Sequence, residues 1–216
     1  MGKSRRSDGE ATRAKILEAA GQLIAVQGFA YTTNKAIAQK AGVDLATINY
    51  HFGGRDGLYQ AVLIEGHRHY LALEELAALA ESSMAPHSKL TRLIEQIILR
   101  LMEERSWHAR VFVRELFSPS VQTAEFIQSE VMPKAQYLRS IMHQATGIPE
   151  HDPAILHCLM SVMAPCLSLI LLLSGSEVTG LIQQVLGMSG TERLIENLNR
   201  FSLAGLDAVS TDYQAR

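Results

Sequence analysis

Cysteine is scarce in this chain, whose 216 residues include only Cys158 and Cys166. The two lie eight positions apart in an apolar segment with the composition of a single helix. An α-helix rises about 1.5 Å per residue, so it would separate them by roughly 12 Å. A disulfide bond requires much closer Cα atoms. We therefore expect both thiols to be reduced, as is typical of a cytoplasmic protein.

The sequence also shows no targeting or membrane segment. The basic residues near the N-terminus are followed by no apolar run, so the sequence predicts neither a signal peptide nor an N-terminal anchor. The apolar stretch 154–174 has nearly the length of a transmembrane helix, but His157 and Pro165 interrupt it and it has no counterpart elsewhere. We interpret it as a buried or interface helix and expect no membrane partner.

Motifs of the common enzyme classes are absent as well. The sequence has no phosphate-binding loop, no glycine-rich dinucleotide motif and no hydrolase elbow. Its eight histidines form no metal-binding pattern, because Glu65 with His69 and Glu104 with His108 are isolated pairs, whereas a zinc site needs three or four converging ligands. The sequence therefore predicts no catalytic residue, no metal and no cofactor.

Neither sign of charge is in large excess, but the charge is unevenly distributed. The formal net charge of the chain is −2. Residues 1–68 contain nine Lys or Arg against six Asp or Glu, a net of +3, which leaves −5 for residues 69–216. A basic front and an acidic remainder are typical of a DNA-binding head on a body that does not contact DNA.

Alternation with period two is also missing, so the sequence predicts no strand. Apolar residues instead recur at three- and four-residue spacing, beginning with Ile16, Ala20 and Ile24 in a segment that Gly28 ends. Further helices are predicted at 56–80, 90–101, 107–117, 122–146 (with Pro133 as a kink), 153–174, 178–186 and 191–210. The expected fold class is therefore all-α.

The most informative segment is 33–52. Thr32 or Thr33 can cap a short helix, Gly42 supplies a tight turn, and Asp44 can cap the next helix. Two short helices joined by such a turn form a helix-turn-helix, which places its second helix in the major groove of DNA. The alternative is a helical hairpin made only of core residues.

Across about 60 N-terminal residues the sequence resembles the TetR family of transcriptional regulators. The matching positions are Thr33, Ile37–Ala38, Ala41–Val43, Thr47–Ile48, Tyr50–Phe52, Arg55 and Leu58–Tyr59. The resemblance implies an all-α homodimer with a three-helix DNA-binding head, here 9–56, and a larger ligand-binding and dimerisation body, here 57–210. Farther along, the sequences WHAR at 107–110 and RELFSP at 114–119, followed by Pro133, look like the C-terminal domain of the CecR/YbiH branch.

The same resemblance implies DNA contacts at individual positions. Contacts to phosphate are implied for Thr33, Lys35, Tyr50, His51 and Arg55, and these would fix the register of the protein on the duplex. Base edges would be faced by Leu45, Ala46, Thr47 and Asn49, with Asp44 among the DNA-binding candidates at the start of the same helix. Two simpler interpretations stay open, with Tyr50 as a packing aromatic and His51 as a solvent-facing side chain.

Three positions depart from the family pattern. Asn49 stands where an aromatic residue is common, and an asparagine can bind an adenine edge through two hydrogen bonds, so this position can read sequence. Asp44 replaces a small hydroxyl residue, and whether its carboxylate accepts a hydrogen bond from a cytosine amine is open. Gly53–Gly54 differs from the usual loop ahead of Arg55.

The body is rich in methionine and aromatic residues, which suit a cavity of irregular shape. The candidate ligand-binding residues are Trp107, Phe112, Arg114, Met132, Tyr137, Met163 and Cys166. Arg114 is the candidate polar anchor, and its alternative is an ion pair with Glu115 or another carboxylate. For every other candidate the alternative is an ordinary core position. Dimerisation is expected through 153–174 and 191–210 as a four-helix bundle.

These features indicate a ligand-responsive DNA-binding regulator, and the family resemblance implies that it is a repressor. It would bind a pseudo-palindromic operator as a dimer and be released or modulated by a small, largely apolar effector, with transporter or detoxification genes as the expected targets. The alternative is an all-α small-molecule-binding protein or enzyme whose head is only structural. That alternative would need a convergent acid–base or metal set, which the sequence lacks.

Overall fold

The computed structural model describes residues 2–103, 107–117, 120, 123–174, 184 and 190–215. Within these ranges the chain consists of helices and turns, without a strand, and the predicted all-α class is confirmed. The helices are α1 (Gly2–Gln27), α2 (Asn34–Ala41), α3 (Leu45–Phe52), α4 (Arg55–Tyr70), α5 (Leu73–Glu81), α6 (Pro86–Glu103), α7 (Trp107–Phe117), α8 (Thr123–Phe126), α9 (Met132–Thr146), α10 (Pro153–Ser174) and α11 (Thr191–Gln214). The helix predicted at 178–186 lies outside the described residues, apart from residue 184.

The first of two compact units contains residues 1–67 and 106–127. Here α1 packs against α2 and α7, and α2 packs against α3. The helix α1 ends where Gly28 adopts a φ of 85°, a left-handed conformation that favours glycine. The core of this unit includes Ile16, Ala20, Ile24, Ile37, Ile48, Leu58 and Val62. The unit therefore combines the helix-turn-helix with α7, a helix from much later in the chain.

The second compact unit contains residues 68–105 and 128–216. In it α9 packs against α5, α6 and α10, while α11 packs against α6. Its core includes Leu76, Leu90, Leu93, Ile94, Ile98, Ile141, Met142, Ile155 and Val162. The division into a DNA-binding head at 9–56 and a body at 57–210 stays a prediction from the sequence. The two compact units are sets of residues in mutual contact, and they are not the same division of the chain.

The single helix predicted at 56–80 is two helices, because the chain leaves the helical conformation after Tyr70. Ala72 is extended, with a ψ of 137°, and α5 begins at the next residue. Arg100 from α6 stabilises the break, since its guanidinium donates to the His69 carbonyl at 3.3 Å and to both carboxylate oxygens of Glu75 at 2.7 Å. No glycine or proline marks this position, so the sequence pattern gave no sign of it.

The helix predicted at 122–146 is interrupted by a π-helical segment, Ile127–Val131. Pro133 follows in the first turn of α9. A proline inside an α-helix has no N–H to donate and its ring clashes with the carbonyl four residues earlier. In the first turn of α9 both problems are small, because the N–H of that position has no partner within the new helix. The predicted kink is thus a change of helix type just before the proline.

The last helix runs farther than the predicted 191–210 and continues to Gln214. The extra turn is fixed by Tyr213, whose hydroxyl donates to the Asp152 carboxylate at 2.6 Å. One helix of the described residues, α10, is long and apolar enough to cross a membrane by length and composition, and 39% of its apolar window is buried inside the structure. A single helix of this kind is weak evidence for a membrane span, because core helices of soluble proteins pass the same test.

Candidate nucleic-acid interface

The helix α2 is bounded by a cap at each end. The Thr33 hydroxyl accepts a hydrogen bond from the Ala36 N–H at 3.2 Å. Gly42 closes the other end with a φ of 69°, and the Val43 N–H donates to the Ala38 carbonyl at 3.0 Å. This is the αL helix end that places a second helix close to the first. Of the two predicted capping residues Thr33 is therefore the right one.

Thr32, the alternative cap, has a different role. Its hydroxyl donates to the Gly28 carbonyl at 2.7 Å, and its side chain is buried. Thr32 therefore secures the loop between α1 and α2, while Thr33 remains exposed at the start of α2.

Asp44 caps α3, as predicted. One of its carboxylate oxygens accepts from both the N–H and the hydroxyl of Thr47, each at 2.7 Å. These hydrogen bonds from Thr47 lower the pKa of the Asp44 carboxyl below its ordinary value of 3.8. Near neutral pH the ionised Asp44 carboxylate is thus stabilised at the N-terminus of α3. The same hydrogen bonds hold the Thr47 side chain in one orientation.

The helix α3 is anchored by one residue and exposes most of the others. Ile48 is fully buried, whereas Leu45 is 50% and Tyr50 is 85% exposed. The predicted base-facing Ala46 and Asn49 are also exposed. A short helix with a single buried anchor and a projecting outer face has the form that a major groove accommodates.

The remaining predicted contacts lie around this outer face. Lys35 and Arg55 are exposed, and His51 is half-buried with its ring edge-on to Tyr50 at 5.1 Å between centroids. All ten predicted DNA-binding residues therefore belong to one short stretch of the first compact unit, and their roles as DNA contacts stay predictions.

Arg55 is oriented by a residue that the sequence analysis did not identify. Its Nη2 donates to the Phe29 carbonyl at 2.6 Å and to the Ala30 carbonyl at 3.3 Å. Its guanidinium carbon also lies 4.4 Å from the centroid of the Phe29 ring, within the range of a cation–π interaction. Phe29, rather than the Gly53–Gly54 loop alone, therefore fixes the side chain.

A buried polar group lies behind Phe29. The Tyr59 ring stacks on Phe29 with 4.0 Å between centroids and an interplanar angle of 11°. The Tyr59 hydroxyl donates to Glu115 at 2.6 Å, and the other oxygen of Glu115 accepts from the backbone N–H and the hydroxyl of Ser120. Burial, reinforced by the bond to Glu115, raises the pKa of Tyr59 above its ordinary value of 10.0. Tyr59 therefore remains a protonated donor.

Three of the predicted ligand-binding residues lie in the first compact unit. Trp107 is buried against α1, where its Nε1 donates to Glu18 at 2.8 Å. Phe112 lies 5.9 Å from the His67 ring. Arg114 is exposed, and its guanidinium lies beside Gly28, where a Cβ atom would come within 2.6 Å of Nη1.

The other four lie in the second compact unit. Met132 is exposed, Tyr137 and Met163 are half-buried, and Cys166 is buried. Burial raises the pKa of the Cys166 thiol to about 11. The assignment of all seven to a ligand site stays a prediction, and the structure divides them between the two units.

The second unit contains a cavity of about 540 Å³ between α10 and α11. It is lined by Ala154, His157, Cys158, Ser161, Val162, Phe201, Ser202, Gly205, Leu206, Val209, Asp212 and Tyr213. None of the seven predicted ligand-binding residues is in this lining. Its volume falls in the range of small-molecule sites.

The second unit also buries a charged cluster beside the π segment. Glu130 accepts from Arg68 at 2.6 Å and from Lys134 at 3.0 Å, and the Lys134 side chain is almost completely buried. Burial alone would raise the pKa of Glu130, but the two hydrogen-bonded cations outweigh it and lower that pKa. The cluster is held together by opposite charges, and sequence periodicity did not reveal it.

An exposed recognition helix on a capped helix-turn-helix, followed by a larger helical unit, is the structure of a DNA-binding regulator. Comparison with known families agrees. Residues 16–62 match the family of bacterial regulatory proteins of the tetR type, and residues 86–206 match the C-terminal domain of the HTH-type transcriptional dual regulator CecR. The chain belongs to the TetR family, with a C-terminal domain of the CecR kind. The family consists of transcriptional regulators, which are not enzymes.

Individual relatives support this assignment. The chain is 30% identical over 127 residues to YttP, a probable HTH-type transcriptional regulator of Bacillus subtilis. The matched region covers 59% of this chain and 60% of that protein. A TetR-like regulator from Rhodococcus sp. RHA1 has the same fold, with a TM-score of 0.63 at 18% identity over 90% of this chain and 95% of that one. FadR of Bacillus subtilis, solved in complex with stearoyl-CoA, also matches with a TM-score of 0.63, at 17% identity. The match covers 89% of this chain and 96% of the FadR chain.

Proposed function

We propose that the chain is a cytoplasmic, ligand-responsive transcriptional repressor that binds a pseudo-palindromic operator as a dimer. The observation that carries the proposal is the outer face of α3, where Leu45, Ala46, Asn49 and Tyr50 are exposed while Ile48 is fully buried on the opposite face. A short, capped helix that exposes both Leu45 and Tyr50 on one projecting surface offers apolar area that a partner can cover. The major groove of DNA is the partner that this geometry suits.

Within this proposal the ten exposed and half-buried residues divide by role. Thr33, Lys35, Tyr50, His51 and Arg55 hold phosphates, and Leu45, Ala46, Thr47 and Asn49 face base edges, with Asp44 beside them at the start of α3. The remaining freedom of Arg55 supports its role, because within the described residues only its Nη2 is hydrogen-bonded. Its Nε and Nη1 can still donate to a phosphate oxygen.

The dimer is proposed to form through α10 and α11. Both helices expose large apolar side chains, including Leu156 and Met160 on α10 and Phe201 and Val209 on α11. Phe201 is 81% exposed. Burying such residues against a second copy is the ordinary way to remove them from water, and a two-fold dimer presents two identical heads to two half-sites.

The effector is proposed to be a small, largely apolar molecule that binds in the second compact unit. The FadR relative contains stearoyl-CoA, which supports a ligand with a long apolar part. The cavity between α10 and α11 is one place for it, and the predicted set around Met132, Tyr137, Met163 and Cys166 is the other. Effector binding would change the separation of the two recognition helices, and transporter or detoxification genes are the expected targets.

A gel-shift assay with the gene's own upstream intergenic DNA tests the proposal. We expect a protein–DNA complex that is lost when unlabelled specific DNA is added. An unrelated duplex of equal length should not displace the labelled DNA. Ile48→Leu, which keeps the buried anchor apolar, is the matched control for variants of the outer face such as Tyr50→Ala. Equal binding of both duplexes at physiological salt would contradict operator recognition.

A further inference from the structure

Four side chains of the first compact unit form a continuous path from the DNA-binding helices to α7. The Arg55 guanidinium lies over the Phe29 ring, Phe29 stacks on Tyr59, and the Tyr59 hydroxyl donates to Glu115. Arg55 and Tyr59 are four residues apart on α4, which places them on one side of that helix. The path joins residues that are 60 positions apart in the sequence.

We propose that Tyr59 and Glu115 are positioning residues for the DNA contact of Arg55. This inference rests on the proposed function, because it assumes that Arg55 binds a phosphate. Arg55 contacts DNA, whereas Tyr59 and Glu115 do not and act on Arg55 through the stack on Phe29. Neither of them was singled out for DNA binding by the sequence pattern.

The inner end of the path is fixed. Glu115 is 5% exposed and accepts three hydrogen bonds, one from Tyr59 at 2.6 Å and two from Ser120 at 2.9 and 2.7 Å. A buried carboxylate with several donors has little freedom, because each lost hydrogen bond leaves its charge less well compensated in a medium of low dielectric constant. Tyr59 is itself 3% exposed. The ring of Tyr59 is therefore held both by its packing and by its hydroxyl.

The outer end of the path depends on Phe29. Two of the contacts of Arg55 are with this residue, one with its carbonyl at 2.6 Å and one with its ring. A shift of Phe29 would move both together. Since Tyr59 sets the position of the Phe29 ring, removing the Tyr59–Glu115 bond should loosen the guanidinium without touching any DNA-facing group.

The path also crosses the two segments that the family comparison defines. Arg55 and Tyr59 lie in the matched residues 16–62, and Glu115 lies in the matched residues 86–206. Helix α7 of the C-terminal match is thus connected to Arg55 of the head through the side chains of Tyr59 and Phe29, all within one compact unit. Positioning through this contact would make operator affinity depend on α7.

A double-mutant cycle with Tyr59→Phe and Arg55→Ala tests the proposal. The probe is a duplex that the wild-type protein has enriched from a random pool, and its affinity is measured by fluorescence anisotropy at several salt concentrations. Arg55→Ala should weaken binding and reduce the salt slope by about 1 for each head. Tyr59→Phe should weaken binding about three- to tenfold and reduce the same slope, and it should have no further effect when Arg55 is already alanine.

Two further variants separate positioning from folding. Glu115→Ala removes the acceptor of the Tyr59 hydroxyl and should therefore weaken binding and reduce the salt slope as Tyr59→Phe does. Tyr213→Phe is the matched control, because it removes a hydroxyl that also donates to a carboxylate at 2.6 Å, in the other compact unit.

The outcomes distinguish the two levels of the claim. If Tyr59→Phe and Arg55→Ala reduce affinity additively, Tyr59 is structural only and the positioning role is wrong. If Arg55→Ala leaves affinity and salt slope unchanged, the phosphate contact itself is wrong. If the wild-type protein enriches no sequence from the pool, the proposed operator-binding function fails.

Discussion

Asn49 is the residue whose chemistry most directly separates base recognition from backbone contact. It is exposed on α3, one turn after the exposed Leu45 and next to Tyr50. An asparagine side chain can donate to and accept from one adenine edge, and no phosphate contact uses both functions. Loss of Asn49 is therefore expected to change sequence specificity, whereas loss of a residue that contacts only phosphate is not.

Asn49→Ala should relax specificity at one base pair in each half-site, with a cost of about 1–3 kcal/mol on the preferred base. The measurement is binding to duplexes that carry each of the four bases at every half-site position. Lys35→Ala is the control, because loss of a phosphate contact weakens binding on all sequences alike. A uniform loss for Asn49→Ala would show that this residue contacts the backbone.

Asp44 gives a prediction about acid stability. Its folded-state pKa is lowered by the hydrogen bonds from Thr47, so the carboxylate stabilises the fold above the unfolded pKa near 3.8 and loses that contribution as the pH falls through the lower folded value. Asp44→Asn keeps a capping oxygen but gains no proton. The melting temperature of this variant should therefore fall less than that of wild type between pH 6 and pH 3.

Calorimetry at pH 6, 4 and 3 measures the effect on Asp44→Asn. Asp56→Asn, another aspartate near a helix start in the same unit, controls for the loss of one negative charge. An equal fall in melting temperature for wild type and Asp44→Asn would mean that the Thr47 bonds do not favour the ionised carboxyl.

At the scale of the helices, α1 and α7 meet at Gly21. A Cβ atom at this position would lie 2.3–2.5 Å from the indole ring of Trp107, which is far inside van der Waals contact. The same indole donates to Glu18, one turn earlier on α1. Gly21 is thus a point of close approach, and Trp107 serves the packing of α7 on α1.

Gly21→Ala should destabilise the protein by about 1–3 kcal/mol, because the large Trp107 ring has to move. Elsewhere in a helix the same change is favourable, by roughly 0.5–1 kcal/mol. Gly9→Ala in the same helix is the control, since nothing lies within 4 Å of its Cβ position. Chemical denaturation gives both values, and a Gly21→Ala variant as stable as Gly9→Ala would contradict the packing of α7 on α1.

Helix positions and caps could be predicted from the sequence because they are local. Thr33, Gly42 and Asp44 each act within four residues of their own position, and all three have the roles that their spacing indicated. The break after Tyr70 could not be predicted, since Arg100 stabilises it from another helix. The same holds for the contacts of Arg55 with Phe29 and of Tyr59 with Glu115, which depend on residues 26 and 56 positions away.

At the scale of the whole molecule, specific operator binding depends on two copies of the chain. Exposed apolar residues on α10 and α11 favour self-association, and a single head would contact too few phosphates and bases for a specific site. Linking two heads raises the affinity for a paired site by about 10²–10⁴ without any new contact. Operator affinity and oligomeric state should therefore change together.

Phe201→Glu should convert the dimer to a monomer, because it places a charge where an apolar surface is buried. Sedimentation velocity would record the change in mass, and operator affinity should fall with it by about 10²–10⁴. Met84→Glu, which alters an exposed apolar residue outside α10 and α11, should leave both unchanged. A Phe201→Glu variant that stays dimeric would place the interface elsewhere.

The most direct test of the central claim is selection of binding sites from a random pool of duplex DNA by the wild-type protein, followed by sequencing. We expect an enriched pseudo-palindrome whose half-sites are centred one helical turn of about 34–36 Å apart, or a multiple of it. Tyr50→Ala should enrich little or nothing from the same pool. Enrichment of a single asymmetric site, or of no sequence at all, would contradict a two-fold dimer that reads DNA with α3.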